Sequence, residues 1–256
     1  MSLFSKDKIL YFLKTKESLS EADTNKSIKL ISADGICSTS MGTLQGGVFL
    51  SAFAIAIGAN NYEIGLIATF TFLSQLVQIP GLLLVRAFKV RRPIVLACAL
   101  ISRLLWVFIM LIPVIFINAG VSFLLQWLVI AMVAGAMAGP AWNSLLRDVL
   151  PPDRMGAIMS RRMMFSTIAA LLLTLAGGWF VDWWKGFSPA TAMYAYSILF
   201  GLGLLFGLYG IFIISRIPEP KMDLDASQSL VDMFAGPVKD LNFRNLLVFS
   251  SIWTFA

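Results

Sequence analysis

Apolar residues run through this chain in long blocks, not in the alternating or one-faced patterns of a soluble core. A helix that crosses a bilayer needs about 20 mostly apolar residues. Six windows reach or approach that length, at about 34–58, 63–85, 93–117, 121–146, 163–181 and 190–215. Polar links separate them, and the one between the second and third windows is short enough to make its flanking helices antiparallel neighbours. Before the first window lies a charged arm, 1–33, whose only apolar run, at 9–13, is too short for a signal-peptide core. That run reads as an interfacial helix or as plain tail. After the sixth window comes a linker of mixed charge, 216–244, opened by Arg216-Ile217-Pro218-Glu219-Pro220, where two prolines stop a helix. A shorter apolar run at 245–256 reads as the start of a seventh helix, cut off before it could span. The pattern predicts an all-α membrane protein with six transmembrane helices.

Charge sets the orientation. Arg86, Lys89, Arg91 and Arg92 crowd the second link, and Arg147, Arg154, Arg161 and Arg162 the fourth. The alternate links are almost free of basic residues, Lys185 being the exception. Lys and Arg in short loops stay on the cytoplasmic side. The expectation is therefore a multi-pass protein of the cell (inner) membrane, with the N-terminus and the 216–244 linker in the cytoplasm.

Composition agrees: of 256 residues, 58% are hydrophobic and 13% charged, and the mean hydropathy is +0.82. A pI near 9.5 invites a nucleic-acid reading, but the basic residues are parcelled among loops, so none is expected. The absence of His removes His-based acid–base catalysis and His metal ligands. Cys37 and Cys98 lie in apolar windows and read as packing residues. With no acidic pair at mid-membrane and no Gly-x-Ser-x-Gly, the chain is not expected to be an enzyme.

Three stretches resemble a known family. Gly81, Leu83, Arg86, Lys89 and Arg91 are similar to the signature after the second helix of major facilitator superfamily transporters, with Val85 where the family has Asp, Phe88 where it has Gly and Val90 at one basic position. Asp148-Val-Leu-Pro151-Pro-Asp153-Arg154-Met-Gly156 resembles the pattern closing the fourth helix, and Gly177-Gly178 with Asp182 the end of the fifth. The resemblance implies that these six helices are two three-helix inverted repeats, forming half of a twelve-helix fold. It implies secondary transport of a small-molecule substrate by alternating access, with a proton or sodium ion as a possible coupling ion and no other cofactor. The second wall of the cavity would come from a covalent C-terminal half or from a homodimer partner, so that this chain does not transport alone. It also implies that Asp148 latches a cytoplasmic gate with Arg86, Lys89, Arg91, Arg92, Arg154, Arg161 and Arg162, the plain alternative being solvated loop charges that only set topology. The alternative is a non-transporting membrane scaffold or sensor of the same fold.

Depth in the membrane sorts the remaining polar residues. Gln45, Gln75 and Arg103 fall near the midplane, where transporter sites lie. Asp34, Ser38, Met41 and Gln45 share one helical face. Gln45, Gln75, Asn143, Ser38 and Arg103 are the substrate-cavity candidates, with hydrogen bonding between helices as the plain alternative. Arg103 either faces substrate or packs inward onto Gln75, Gln78 or backbone carbonyls. Asp34 is expected to cap its helix, with proton coupling as a second role. The close pairs Gly42/Gly46, Gly135/Gly139 and Gly203/Gly207 read as helix-packing positions.

Overall fold

A computed structural model describes residues 15–17, 19–116, 120–222 and 239–255. The 9–13 run, the 117–119 turn and the linker stretch 223–238 lie outside the described residues.

Helix α1 (Glu21–Gln45) starts at Ser20, well before the first apolar window. Ser20 Oγ accepts from the Asp23 amide at 3.1 Å, and the Asp23 carboxylate accepts from the Ser20 amide in return. This reciprocal box satisfies two of the amides that a helix start leaves unpaired. Asp34 therefore caps nothing and stands at the centre of α1. An apolar window marks where a helix is buried, not where its hydrogen bonding begins.

α1 ends at Gly46, and α2 (Gly47–Ala56) takes over with Gly47 at φ 50°. Glycine enters this left-handed region without the Cβ clash that penalises other residues. Asn60 caps α3 (Asn61–Leu73), its side-chain oxygen accepting from the Glu63 amide at 3.0 Å. A tight 3-10 turn, Ser74–Val77, joins α3 to α4 (Gln78–Phe88). Pro80 accounts for the change of pitch: it has no N–H for the carbonyl one turn back, and its ring crowds that carbonyl. Lys89 closes α4 at φ 53°. α5 (Arg92–Met110) carries Pro93 in its first turn. α6 (Gly120–Met137) gives way at Ala138 to α7 (Gly139–Val149), where Pro140 again withholds an amide. α8 (Met155–Phe187) and α9 (Ala192–Ser215) are uninterrupted.

Among the described residues, five helical stretches are long and apolar enough to cross a membrane: Asn61–Phe88, Arg92–Met110, Gly120–Val149, Met155–Phe187 and Pro189–Ser215. The 34–58 window is not among them, because its helix breaks at Gly46 and α1 carries Glu21, Asp23, Lys26, Lys29 and Asp34. α8 displays Leu171, Leu172, Leu175, Trp179 and Trp183 to the outside, each more than half exposed. Such a continuous apolar face is what lipid, not water, accommodates. The chain is an all-α, multi-pass membrane protein.

Packing is centred on α9, which lies against α1 and α5; α1 also packs on α8, α5 on α6, and α4 on α7. Phe53, Phe200 and Trp106 meet edge-on in the main core. At Gly81 a Cβ would sit 2.5 Å from the Met137 carbonyl oxygen, so α4 meets the α6–α7 break backbone to backbone. A second apolar cluster, Ile31, Leu145, Leu146, Val149, Leu150 and Ile217, closes the end of the bundle that bears the Arg91 loop. There β1 (Thr15–Lys16) and β2 (Glu219–Pro220) pair in parallel, and the Lys221 amide donates to the Lys16 carbonyl at 2.8 Å.

Residues 222–256 form a separate unit. It contains α10 (Leu241–Phe255), whose first amides, Asn242 and Phe243, donate to Asp240 Oδ1 at 2.8 and 3.3 Å.

Two buried charge clusters and a cavity

The first cluster lies at the start of α5. Arg91 is the N-cap residue and is completely buried. Its Nη1 donates to the Asp148 carboxylate and, at 3.3 Å, to the carbonyl and hydroxyl of Ser144; its Nη2 donates to the Pro220 carbonyl at 2.7 Å. Glu219 Oε1 accepts from the amides of both Arg91 and Arg92. An anion is favoured here, because the amides at a helix start have no partner of their own and carry partial positive charge. Arg92 Nη1 donates to the Ile217 carbonyl at 2.9 Å. One arginine thus ties the α4–α5 link to the end of α7 and to the strap after α9.

Glu219 is the member that sequence reasoning missed. Its signal was an isolated acid between Pro218 and Pro220, a segment that must be extended and therefore needs an outside partner. Of the other expected gate residues, Arg86 lies in the last turn of α4 and Lys89 is exposed at its end. Arg147 sits 3.6 Å from Asp148 in an exposed pair. Arg154 and Arg161 line a ≈ 350 Å³ cavity with Ile28 and Ser32. Arg161 and Arg162 lie inside α8, not in a loop, because the helix begins at Met155.

Arg162 belongs to the second cluster, inside the bundle. Asp34, 2% exposed, accepts from Ser38 Oγ at 3.2 Å through Oδ1 and pairs with Arg162 Nη2 at 3.6 Å through Oδ2. Arg162 Nε donates to the Ile31 carbonyl at 3.2 Å. Arg103 comes from the middle of α5 and is 6% exposed. It is not on Gln75 or Gln78, which bond each other. It lies across Gly207 and Gly210 of α9, so that a Cβ on Gly210 would be 3.2 Å from Asp34 Oδ1 and 3.6 Å from Arg103 Nη2. Arg103 Nη1 is buried and has no hydrogen-bond partner among the described residues. These groups border a cavity of ≈ 280 Å³.

A larger cavity, ≈ 440 Å³, lies beside the α1–α2 break. Gln45, Gly46, Gly47, Ser51, Thr71 and Trp106 line it. Gln45 is 2% exposed; its Nε2 donates to the Phe200 carbonyl at 3.0 Å, while its Oε1 is buried without a partner among the described residues. Gln75 and Asn143 are exposed and reach neither cavity. The structure therefore divides the expected substrate set: Gln45 at one cavity, Ser38 and Arg103 at the other, and Gln75 and Asn143 apart. Among the described residues, no three His, Cys, Asp or Glu side chains converge to hold a metal. The chain matches no protein-family model, no curated protein and no solved structure.

Proposed function

We propose that this protein is a secondary transporter of a small solute, built on the facilitator plan, with its site in the cavity beside the α1–α2 break. The observation that carries this reading is the company Gln45 keeps: a buried, unpartnered amide oxygen next to a helix break and a ≈ 440 Å³ void. Irregular backbone at membrane depth is tolerated where it is buried in protein or lines a cavity. Transporters place their sites at such interrupted helices. The breaks at Gly46, at Ser74–Val77 and at Ala138 interrupt the first, second and fourth predicted segments.

The packing pattern supports two inverted three-helix repeats. The first segment packs on the fifth and sixth; the fourth packs on the second and third; the third and sixth pack on each other. Exchanging one with four, two with five and three with six maps these contacts onto one another; the fifth segment also packs on the sixth, without a match between the second and third. In this reading the Arg91 cluster lies on the cytoplasmic side, and a second six-helix half or a second copy closes the cavity. A scaffold or sensor of the same fold is the competing function.

Membrane vesicles from cells that make the protein, compared with vesicles from cells lacking its gene, test this. With a labelled panel of sugars, amino acids and organic anions, at least one solute should exchange faster when the protein is present. Gln45→Ala should then raise its KM by up to about tenfold, the worth of one neutral hydrogen bond. If no solute distinguishes the two kinds of vesicle although the protein is folded in the membrane, the scaffold reading replaces the transporter.

A further inference from the structure

We propose that the ≈ 280 Å³ cavity between α1, α5 and the α6–α7 break is an anion site, in which Arg103 binds a single carboxylate or phosphate group. The charged groups bordering the cavity are Asp34, Arg103 and Arg162. One carboxylate cannot neutralise two guanidinium groups. Asp34 is already committed, accepting from Ser38 through Oδ1 and pairing with Arg162 through Oδ2. Arg162 is also held by the Ile31 carbonyl. Arg103, whose side chain borders the void, is left with a buried Nη1 that donates to nothing among the described residues. The nearby hydroxyl of Ser102 donates elsewhere, to the Ala131 carbonyl at 2.7 Å.

An unmatched cation inside a membrane helix bundle is costly, and a buried donor without an acceptor adds to that cost. Water in the void would satisfy the donor but not the charge. An anion does both, because hydrogen bonds between a guanidinium and an oxyanion are charge-assisted and suited to two-point contact. Space is adequate: the cavity is several times the ~30 Å³ that one water occupies. The site is distinct from the cavity beside Gln45, with Met41 as their common wall. It does not depend on whether the protein transports anything.

The experiment uses the purified protein in phosphatidylcholine nanodiscs, melted in sodium acetate or sodium phosphate against sodium HEPES at equal ionic strength. The melting temperature should rise saturably with acetate or phosphate, as for any ligand that binds the folded state. Arg103→Gln should weaken the apparent Kd by about tenfold or more, whereas Arg103→Lys, which keeps the charge but loses the planar fork, should retain part of the response. Asp34→Asn removes a competing negative charge and should tighten anion binding severalfold. The absence of a saturable rise in the parent protein, or an undiminished rise in Arg103→Gln, overturns the site. Should Arg103→Gln fail to fold, Asp34→Asn decides: unchanged anion affinity there overturns it equally. Replacing part of the lipid with phosphatidylglycerol identifies the natural source. Loss of the phosphate response points to a lipid headgroup already seated on Arg103, and its persistence points to a soluble anion.

Discussion

Arg91 and Arg103 stand at the two ends of one physical question, although a single helix, α5, holds both in place. Each is buried, one completely and the other to 6% exposure. Arg91 has both terminal nitrogens engaged, by Asp148, Ser144 and Pro220. Arg103 has one terminal nitrogen with no hydrogen-bond partner among the described residues, and its side chain borders a cavity. The first arrangement uses charge to fasten three segments that are far apart in sequence. The second leaves binding capacity unspent inside the bundle. Burial of a charge is therefore no guide to its role until its partners have been counted.

The largest effect should come from cutting the tie. Asp148→Ala leaves Arg91 buried without its carboxylate. Breaking such a pair costs about 3–5 kcal/mol, and the lower end applies because the Asp148 side chain is 31% exposed. Thermal unfolding in detergent should show a clear drop. Unchanged melting would make Asp148 an ordinary surface charge and dissolve the contrast with Arg103.

A smaller effect is expected inside the bundle. In anion-free buffer, Arg103→Gln should stay within about 1 kcal/mol of the parent, since it removes an unmatched charge at the same time as its contacts. A loss as large as that of Asp148→Ala would mean that both arginines are structural ties.

The smallest effect lies at the exposed start of α1 and gives the comparison its solvated reference point. Lys16 Nζ bonds the Asp23 carboxylate at 2.7 Å. That bond, with a further one from Ser20, holds the Asp23 carboxyl below its usual 3.8. A depressed carboxyl stabilises the fold above its unfolded pKa, and its contribution is lost as pH falls through the lower folded value, that is, below about 4. The pairing of β1 with β2 should then loosen. Hydrogen exchange at the Lys221 amide, which bonds the Lys16 carbonyl, should lose protection between neutral pH and pH 3 in the parent. In Asp23→Asn the protection should be lower at neutral pH and change less on acidification.

Much of the architecture could be read from the residues in order. Long apolar windows located five helices that are able to span, but the breaks at Gly46, Ser74–Val77 and Ala138 fall inside windows that read as continuous. The first window was less legible, because α1 runs far into a charged segment and is held by a capping box that apolarity does not reveal. At the clusters, Arg91, Arg92 and Asp148 were candidates from the sequence and are brought together. Glu219 was not a candidate, and Arg162, assigned to the gate, turns inward to Asp34 instead.

What the sequence determined by itself was whatever is written in about 20 consecutive residues: which stretches are apolar enough for lipid, where Pro218 and Pro220 end the last of them, and which links carry the basic charge. Those are local properties, because hydrophobic burial and backbone geometry are decided turn by turn. Only the tertiary structure decided which charges meet. Arg91 and Glu219 are separated by 128 positions, and Arg162 and the Ile31 carbonyl by 131. No local pattern encodes such a pairing. It is selected when packed helices bring a few side chains within 4 Å, where low dielectric makes a matched charge stable and an unmatched one costly.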